Sequence, residues 1–312
     1  MVDKLSVIIP TYNPNRTRLE RTLIGLKQQT LPIDRWELLI VDNATPDLDY
    51  VASFDRSWHP AATVIRENQI GLTRARLAGI AASQGKFIVF VDDDNVLHPE
   101  YLEQVIDIFQ QDSSLGAIGG KSIPEFELDP EPWVYHFHGC LALRDFGDEI
   151  KTYSYTEKDN RQHPEFAPIG AGMSLRREAA QHYVNQISFD NTRQLFDRTG
   201  RSLQSGGDCD INLTLLEAGW EVGYFPQLEL THLIPQTRLT TKYLARINRA
   251  SSRSWVKVLD VHNIRSWRGI PRWTVLPRQI KAFLYYQPWK NPASYIRWQG
   301  ACGLFEGQAE LL

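Results

Sequence analysis

The sequence is poor in cysteine and has no long apolar run. Cys140, Cys209 and Cys302 are too few and too far apart for a disulfide framework, which fits a reducing compartment. No stretch comes near the about 20 apolar residues that a membrane-crossing helix needs. The opening, MVDKLSVIIPTYNP, holds only a short apolar run behind Asp3, so it reads as a strand and not as a signal peptide. The expected location is the cytoplasm. The two common phosphate loops are missing as well. PTYNPN stands where a G-x-G-x-x-G would follow the first strand. The GKF at 85–87 lacks the glycine spacing and the Ser/Thr of a Walker loop.

Acids are scarce at the C-terminal end. Only 3 of the 37 Asp/Glu follow Pro235, against 13 of the 34 Lys/Arg. Five of the nine tryptophans (Trp255, Trp267, Trp273, Trp289, Trp298) lie there too. Residues 1–235 thus form an acidic body and 236–312 a basic, Trp-rich extension. Such an extension either meets an anionic surface, such as the inner face of the plasma membrane, or packs back on the acidic body. Its first part, RLTTKYLARINRASSRSWVKVL, reads as an amphipathic basic helix suited to an anionic leaflet. Nucleic acid is not expected as a partner.

What is present is a regular alternation. Four β-rich runs, LSVIIP (5–10), WELLIVDN (36–43), ATVIREN (62–68) and KFIVFVDDD (86–94), are separated by helical patterns. One helix is expected over about Arg16 to Gln29. A second, LTRARLAGIAASQG, is expected to close at Gly85, and a third to open at Pro99. Strands without polar alternation between helices predict a parallel sheet covered on both faces. The polar residues gather at strand ends: Thr11 and Asn13, Asp42 and Asn43, Asn68, then Asp92, Asp93 and Asp94. In open α/β sheets ligands bind beyond the carboxyl ends of the strands.

The triplet of carboxylates is the sharpest signal. Two unit charges about 4 Å apart repel by roughly 4 kcal/mol at an effective dielectric near 20. Water, backbone donors or a cation must offset that cost. A divalent metal bridging the triplet to a diphosphate would bind phosphate without a glycine-rich loop. Farther on, Asp208 and Asp210 open a helical run that ends at Gly219, and His232 ends the strand pattern EVGYFPQLELTHL. Capping explains one of those acids, not both. His136, His138 and Cys140 in YHFHGC read as structural residues on one face of a strand.

Six segments in order, PTYN (10–13), VDNAT (41–45), ENQIGLTRARLAGI (67–80), FVDDDN (90–95), GAGMSLRREA (170–179) and GGDCDINLTLLEAGWEVGYFP…THL (206–233), resemble the family-2 inverting glycosyltransferases of bacterial exopolysaccharide and surface-glycan assembly. The resemblance implies a GT-A fold over 1–235: a Rossmann-like, mostly parallel sheet flanked by helices, here with a helical C-terminal extension over 236–312. It implies transfer of one sugar from a nucleotide-sugar donor, a UDP-sugar first, to a glycan or lipid-linked acceptor. Pro10, Thr11, Asn13, Asp42, Asn68, Arg76, Asp92 and Asp93 would bind the donor. Asp94, with Asp92 and His232, would hold Mn²⁺ or Mg²⁺. GGDCD stands where the family shows GEDxD, so Asp208 takes the place of the catalytic base. Gly207 for the usual Glu leaves Asp210 as a second candidate. The segment from Ser122 to Phe166 would border the acceptor. Two other readings compete, a Mg²⁺-dependent aspartate phosphohydrolase or receiver, and a nucleotide-sugar-binding module without catalysis.

Overall fold

The computed structural model describes residues 3–155, 161–200, 202–265 and 267–312; part of the expected acceptor border, 156–160, lies outside them. Strands β1 (Leu5–Thr11), β2 (Trp36–Asn43), β3 (Ala62–Glu67) and β4 (Phe87–Phe90) pair in parallel in the order β3-β2-β1-β4. Their sequences lack polar alternation because both faces are covered. Leu5, Val7 and Ile9 pack into one core with α1 (Arg16–Lys27) and α3 (Tyr101–Gln111). Ile8, between them, packs into a second core with Ala75 and Ile80 of α2 (Leu72–Ala82). β2 and β4 divide their residues in the same way, as the two-residue period of a strand demands. α2 ends on Ser83 and not at Gly85, which lies against the backbone of Leu5 and Ser6.

The second half turns the sheet mixed. β5 (Asn95–Leu97), β6 (Leu115–Phe126), β7 (Lys151–Tyr153), β8 (Ser174–Arg176) and β9 (Glu221–Ile234) complete it, with β8 antiparallel to both β4 and β6, and β9 parallel to β6. α4 (Arg177–Ile187) and α5 (Gly207–Glu217) add to the second core. The YHFHGC segment is not a strand: Pro132–Leu141 forms 3₁₀ turns, opened by Pro132 at the position where its missing N–H costs nothing. Among the described residues no group of three metal-binding side chains forms there or elsewhere.

The extension folds as α6 (Thr241–Val261), α7 (Val275–Tyr286) and α8 (Pro292–Ala309). α6 spends its apolar face inside the protein. Leu244 and Ile247 meet Ile234 of β9 and Ile296 of α8, while Val258 and Leu259 join the second core. Arg249 of α6 donates to Glu306 at 3.1 Å, and Lys257 pairs with Glu310 at 2.7 Å. The approach of α6 to α8 needs Gly303, where a Cβ would collide with the Arg249 carbonyl. Gly303→Ala is therefore expected to cost about 2 kcal/mol of stability and lower the thermal midpoint. Gly139→Ala, whose added carbon meets nothing within 4 Å, should leave the midpoint unchanged, and calorimetry of the two variants checks the pair.

Candidate active site

The carboxyl ends of β1 and β4, the start of α5 and the end of β9 surround a cavity of about 330 Å³. Of the expected site residues, Pro10, Thr11, Asn13, Arg76, Asp92, Asp93, Asp94, Asp208 and His232 line it. Three do not. Asp42 lies buried behind the cavity, where it accepts from Arg66 and from the Thr45 N–H at 3.0 Å. The Thr45 hydroxyl in turn accepts the Asn13 N–H at 2.9 Å, so Asp42 supports the loop in which Asn13 holds a positive φ of 47°. Asn68 is exposed at the end of β3. Asp210 is fully buried on the far side of α5.

Within the acidic triplet each carboxyl has its own surroundings. Asp92 is half-buried, with an Arg76 guanidinium nitrogen 3.9 Å away. Asp93 accepts from the Thr11 hydroxyl; burial and the neighbouring Asp94 push its carboxyl up to about 7. For Asp94 burial also acts upward, but His232 and Arg238 outweigh it and hold the carboxyl below the usual range. Arg238 donates to Asp94 Oδ2 at 2.9 Å and to His232 Nε2 at 3.1 Å. The pairing of Asn95 with His232 in the β5–β9 ladder brings these groups together. Imidazole binds a metal through an unprotonated ring nitrogen, and Nε2 is the His232 nitrogen on the Asp94 side.

Do these residues fit a divalent cation? Asp94 Oδ1 and His232 Nε2 stand 3.4 Å apart, and Asp92 lines the same cavity. Carboxylate oxygen and imidazole nitrogen suit Mn²⁺, and Mg²⁺ takes one or two carboxylates with water and substrate phosphates. Among the described residues no third His, Cys, Asp or Glu closes a protein-only cage. The set fits a cation whose remaining ligands are diphosphate oxygens and water. Arg238 engages Asp94 through its other oxygen, Oδ2, and shares His232 Nε2 with that pair.

Asp208 and Asp210 are two residues apart on α5 and live in different environments. Asp208 faces the cavity and accepts from the Gly170 N–H at 3.2 Å and the Cys209 N–H at 2.9 Å. Asp210 is gripped by Arg193 Nε at 3.0 Å and by His262 Nε2 at 3.0 Å, and does not line the cavity. Gly207 has a physical reason. A Cβ there would lie 2.5 Å from Asp197 Oδ2. The Asp197 carboxylate fills that space and pairs with buried Arg76 at 2.9 Å. Burial lifts Asp197 to about 6 against the pull of Arg76. Asp197, Arg193 and His262 sit in no local sequence pattern that points to this cavity, and Arg238 opens the basic helical segment six residues past His232.

The family model described as Glycosyl transferase family 2 matches residues 6–184. An uncharacterized glycosyltransferase of Haemophilus influenzae is 32% identical over 115 residues, 36% of this chain and 37% of that protein. The poly(ribitol-phosphate) beta-N-acetylglucosaminyltransferase TarP of Staphylococcus aureus is 27% identical over 216 residues, 62% of this chain and 65% of that one. The chain thus spans about a third to two thirds of the length of these relatives. The crystal structure of S. aureus TarS 1-349 in complex with UDP superposes with a TM-score of 0.53 at 16% identity, covering 98% of this chain and 90% of that chain. At that identity the likeness speaks for the fold, which is GT-A.

Two variants probe the frame around the cavity. Asp197→Ala leaves the buried Arg76 charge with Asp92 at 3.9 Å as its nearest acid, and is expected to cost about 3 kcal/mol in urea unfolding. His163 packs against Trp255, and burial lowers its imidazole from 6.5 to about 4. A depressed histidine favours the fold while it is neutral. The stability it carries is present at neutral pH and is lost as pH falls from 6.5 through 4. His163→Gln should flatten that slope in urea titrations across the range.

Proposed function

This chain belongs to glycosyl transferase family 2, and on that premise we propose that it is an inverting, metal-assisted glycosyltransferase moving one sugar from a UDP-sugar to a hydroxyl of a glycan acceptor in polysaccharide or surface-glycan assembly. One juxtaposition carries the reading. Asp208 and the acidic triplet face a single cavity, whereas Asp210 is bound by Arg193 and His262 and does not line it. The UDP held by the structurally similar TarS supports the choice of nucleotide.

In this reading Pro10, Thr11 and Asn13 border the nucleotide, with Asp42 positioning that loop through Thr45. Asn68 lies beyond the cavity, at the edge of the donor region. Asp94 and His232 would hold the divalent cation, with Asp92 in reach, and the cation would supply positive charge to the departing diphosphate. Arg76 fixes Asp92 from one side and Asp197 from the other. Asp208 takes the proton of the acceptor hydroxyl. The freed oxygen attacks C1 on the face opposite the diphosphate, the C1–O bond to phosphate breaks with its electron pair on the diphosphate, and the configuration inverts. A carboxylate outside the metal's reach keeps its basicity, which is why the base and the ligands are separate residues. A lipid-linked acceptor would put the reaction at a membrane face, and the basic extension has the charge to sit there.

Product analysis tests the assignment. With UDP-glucose and UDP-N-acetylglucosamine among the donors, the Asp208→Asn variant should bind donor as the wild type does and transfer about 10³-fold more slowly. The wild-type product should carry the anomeric configuration opposite to the donor's. Retained configuration, or a fully active Asp208→Asn, refutes the proposal.

A further inference from the structure

Among the described residues, one side of α7 is exposed. The helix is fastened to α8 along the other side. The Gln279 amide donates to Glu306 at 3.2 Å, the Trp298 indole donates to the Gln279 carbonyl at 3.1 Å, and Ala282 is the buried residue of the helix. Leu276, Ile280 and Leu284, four residues apart and so stacked along one face, are 64%, 54% and 62% exposed. Trp273 before the helix is 78% exposed and Trp289 after it 59%. A contiguous apolar stripe of this kind marks an interaction surface.

Charge narrows the occupant. Between Asp260 and Glu306 the sequence has no acid and seven Lys/Arg. The acids bounding that stretch are engaged at home. Asp260 pairs with Arg265, Glu306 with Arg249, and Glu310 with Arg253 and Lys257. Among the described residues no ion pair engages Arg272, Arg278, Lys281 or Lys290, which surround the stripe. A nucleic acid would use the cations and leave the aliphatic row in water. A second copy, stacked α7 on α7, would set cation against cation with no acid to relieve it. An acidic phospholipid surface offers both complements, anionic headgroups for the flanks and hydrocarbon for the row, and the interface favours indole rings. No helix of the described residues is long and apolar enough to cross the membrane, so contact is lateral.

We propose that α7, with Trp273 and Trp289, lies in the headgroup plane of an acidic bilayer through the Leu276–Ile280–Leu284 row. α6, the stronger candidate in sequence, has its apolar face buried in the protein and takes no part. This inference stands apart from the transfer chemistry.

The test is co-sedimentation of the full chain with vesicles of phosphatidylglycerol and phosphatidylethanolamine, against phosphatidylcholine alone, at low and high salt. Binding to the acidic vesicles that weakens with salt is expected. The triple variant Leu276→Ser/Ile280→Ser/Leu284→Ser should lose binding about ten-fold or more, with an unchanged circular dichroism spectrum. In the unmodified chain, acidic vesicles with brominated acyl chains should quench tryptophan emission, and less so in Trp273→Phe/Trp289→Phe. Three results would overturn the proposal: no sedimentation with acidic vesicles, binding untouched by the triple variant, or a gel-filtration dimer that the triple variant dissolves.

Discussion

The structure depends on how three adjacent carboxylates can share one buried mouth. At the end of β4 the chain places Asp92, Asp93 and Asp94 together, and two guanidiniums hold them. Arg238 grips Asp94 together with His232, and Arg76 stands between Asp92 and Asp197. Asp93 accepts from the Thr11 hydroxyl and feels Arg238, but burial and Asp94 outweigh both and drive its carboxyl upward. Each compensating arginine constrains its neighbours in turn. The Arg76–Asp197 pair leaves room at position 207 for nothing larger than glycine. Arg238 in turn is held between Asp94 Oδ2 and His232 Nε2.

The same economy ties the helical extension to the cavity. His262, just past α6, reaches the side of α5 opposite Asp208 and bonds both Asp210 and Glu217. One carboxylate of α5 is thereby committed to holding the extension, and the other is left to face the cavity. The different surroundings of two acids two residues apart come from helix geometry, since positions i and i+2 point to different sides. Three ion pairs join α6 to α8, and α7 carries an exposed apolar row.

Much of this was legible in the sequence, and the exceptions share a cause. Continuous apolar strands between helices announced a sheet covered on both faces, and Val7, Ile8 and Ile9 divide between the two cores accordingly. Strand-end polar residues at the tips of β1 and β4 converge on one cavity because parallel strands share an edge. Asp42 and Asn68 share that edge and fall outside the cavity, since position along an edge does not say which way a side chain points. The later strands, β5 to β9, pair in both directions, which apolar runs alone could not reveal. Arg238, Asp197 and His262 were invisible for want of any local pattern: each acts through a partner far away in the chain. The helical turn at Pro132–Leu141 follows from a proline at its start, which the alternating histidines masked.

The most direct measurement of the central claim is calorimetric titration of the protein with UDP, with and without Mn²⁺. If Asp94 and His232 accept a cation and share it with the diphosphate, Mn²⁺ should tighten UDP binding about ten-fold or more in the wild type and have no effect in Asp94→Asn. Equal affinity for UDP with and without the metal in the wild type would contradict the account.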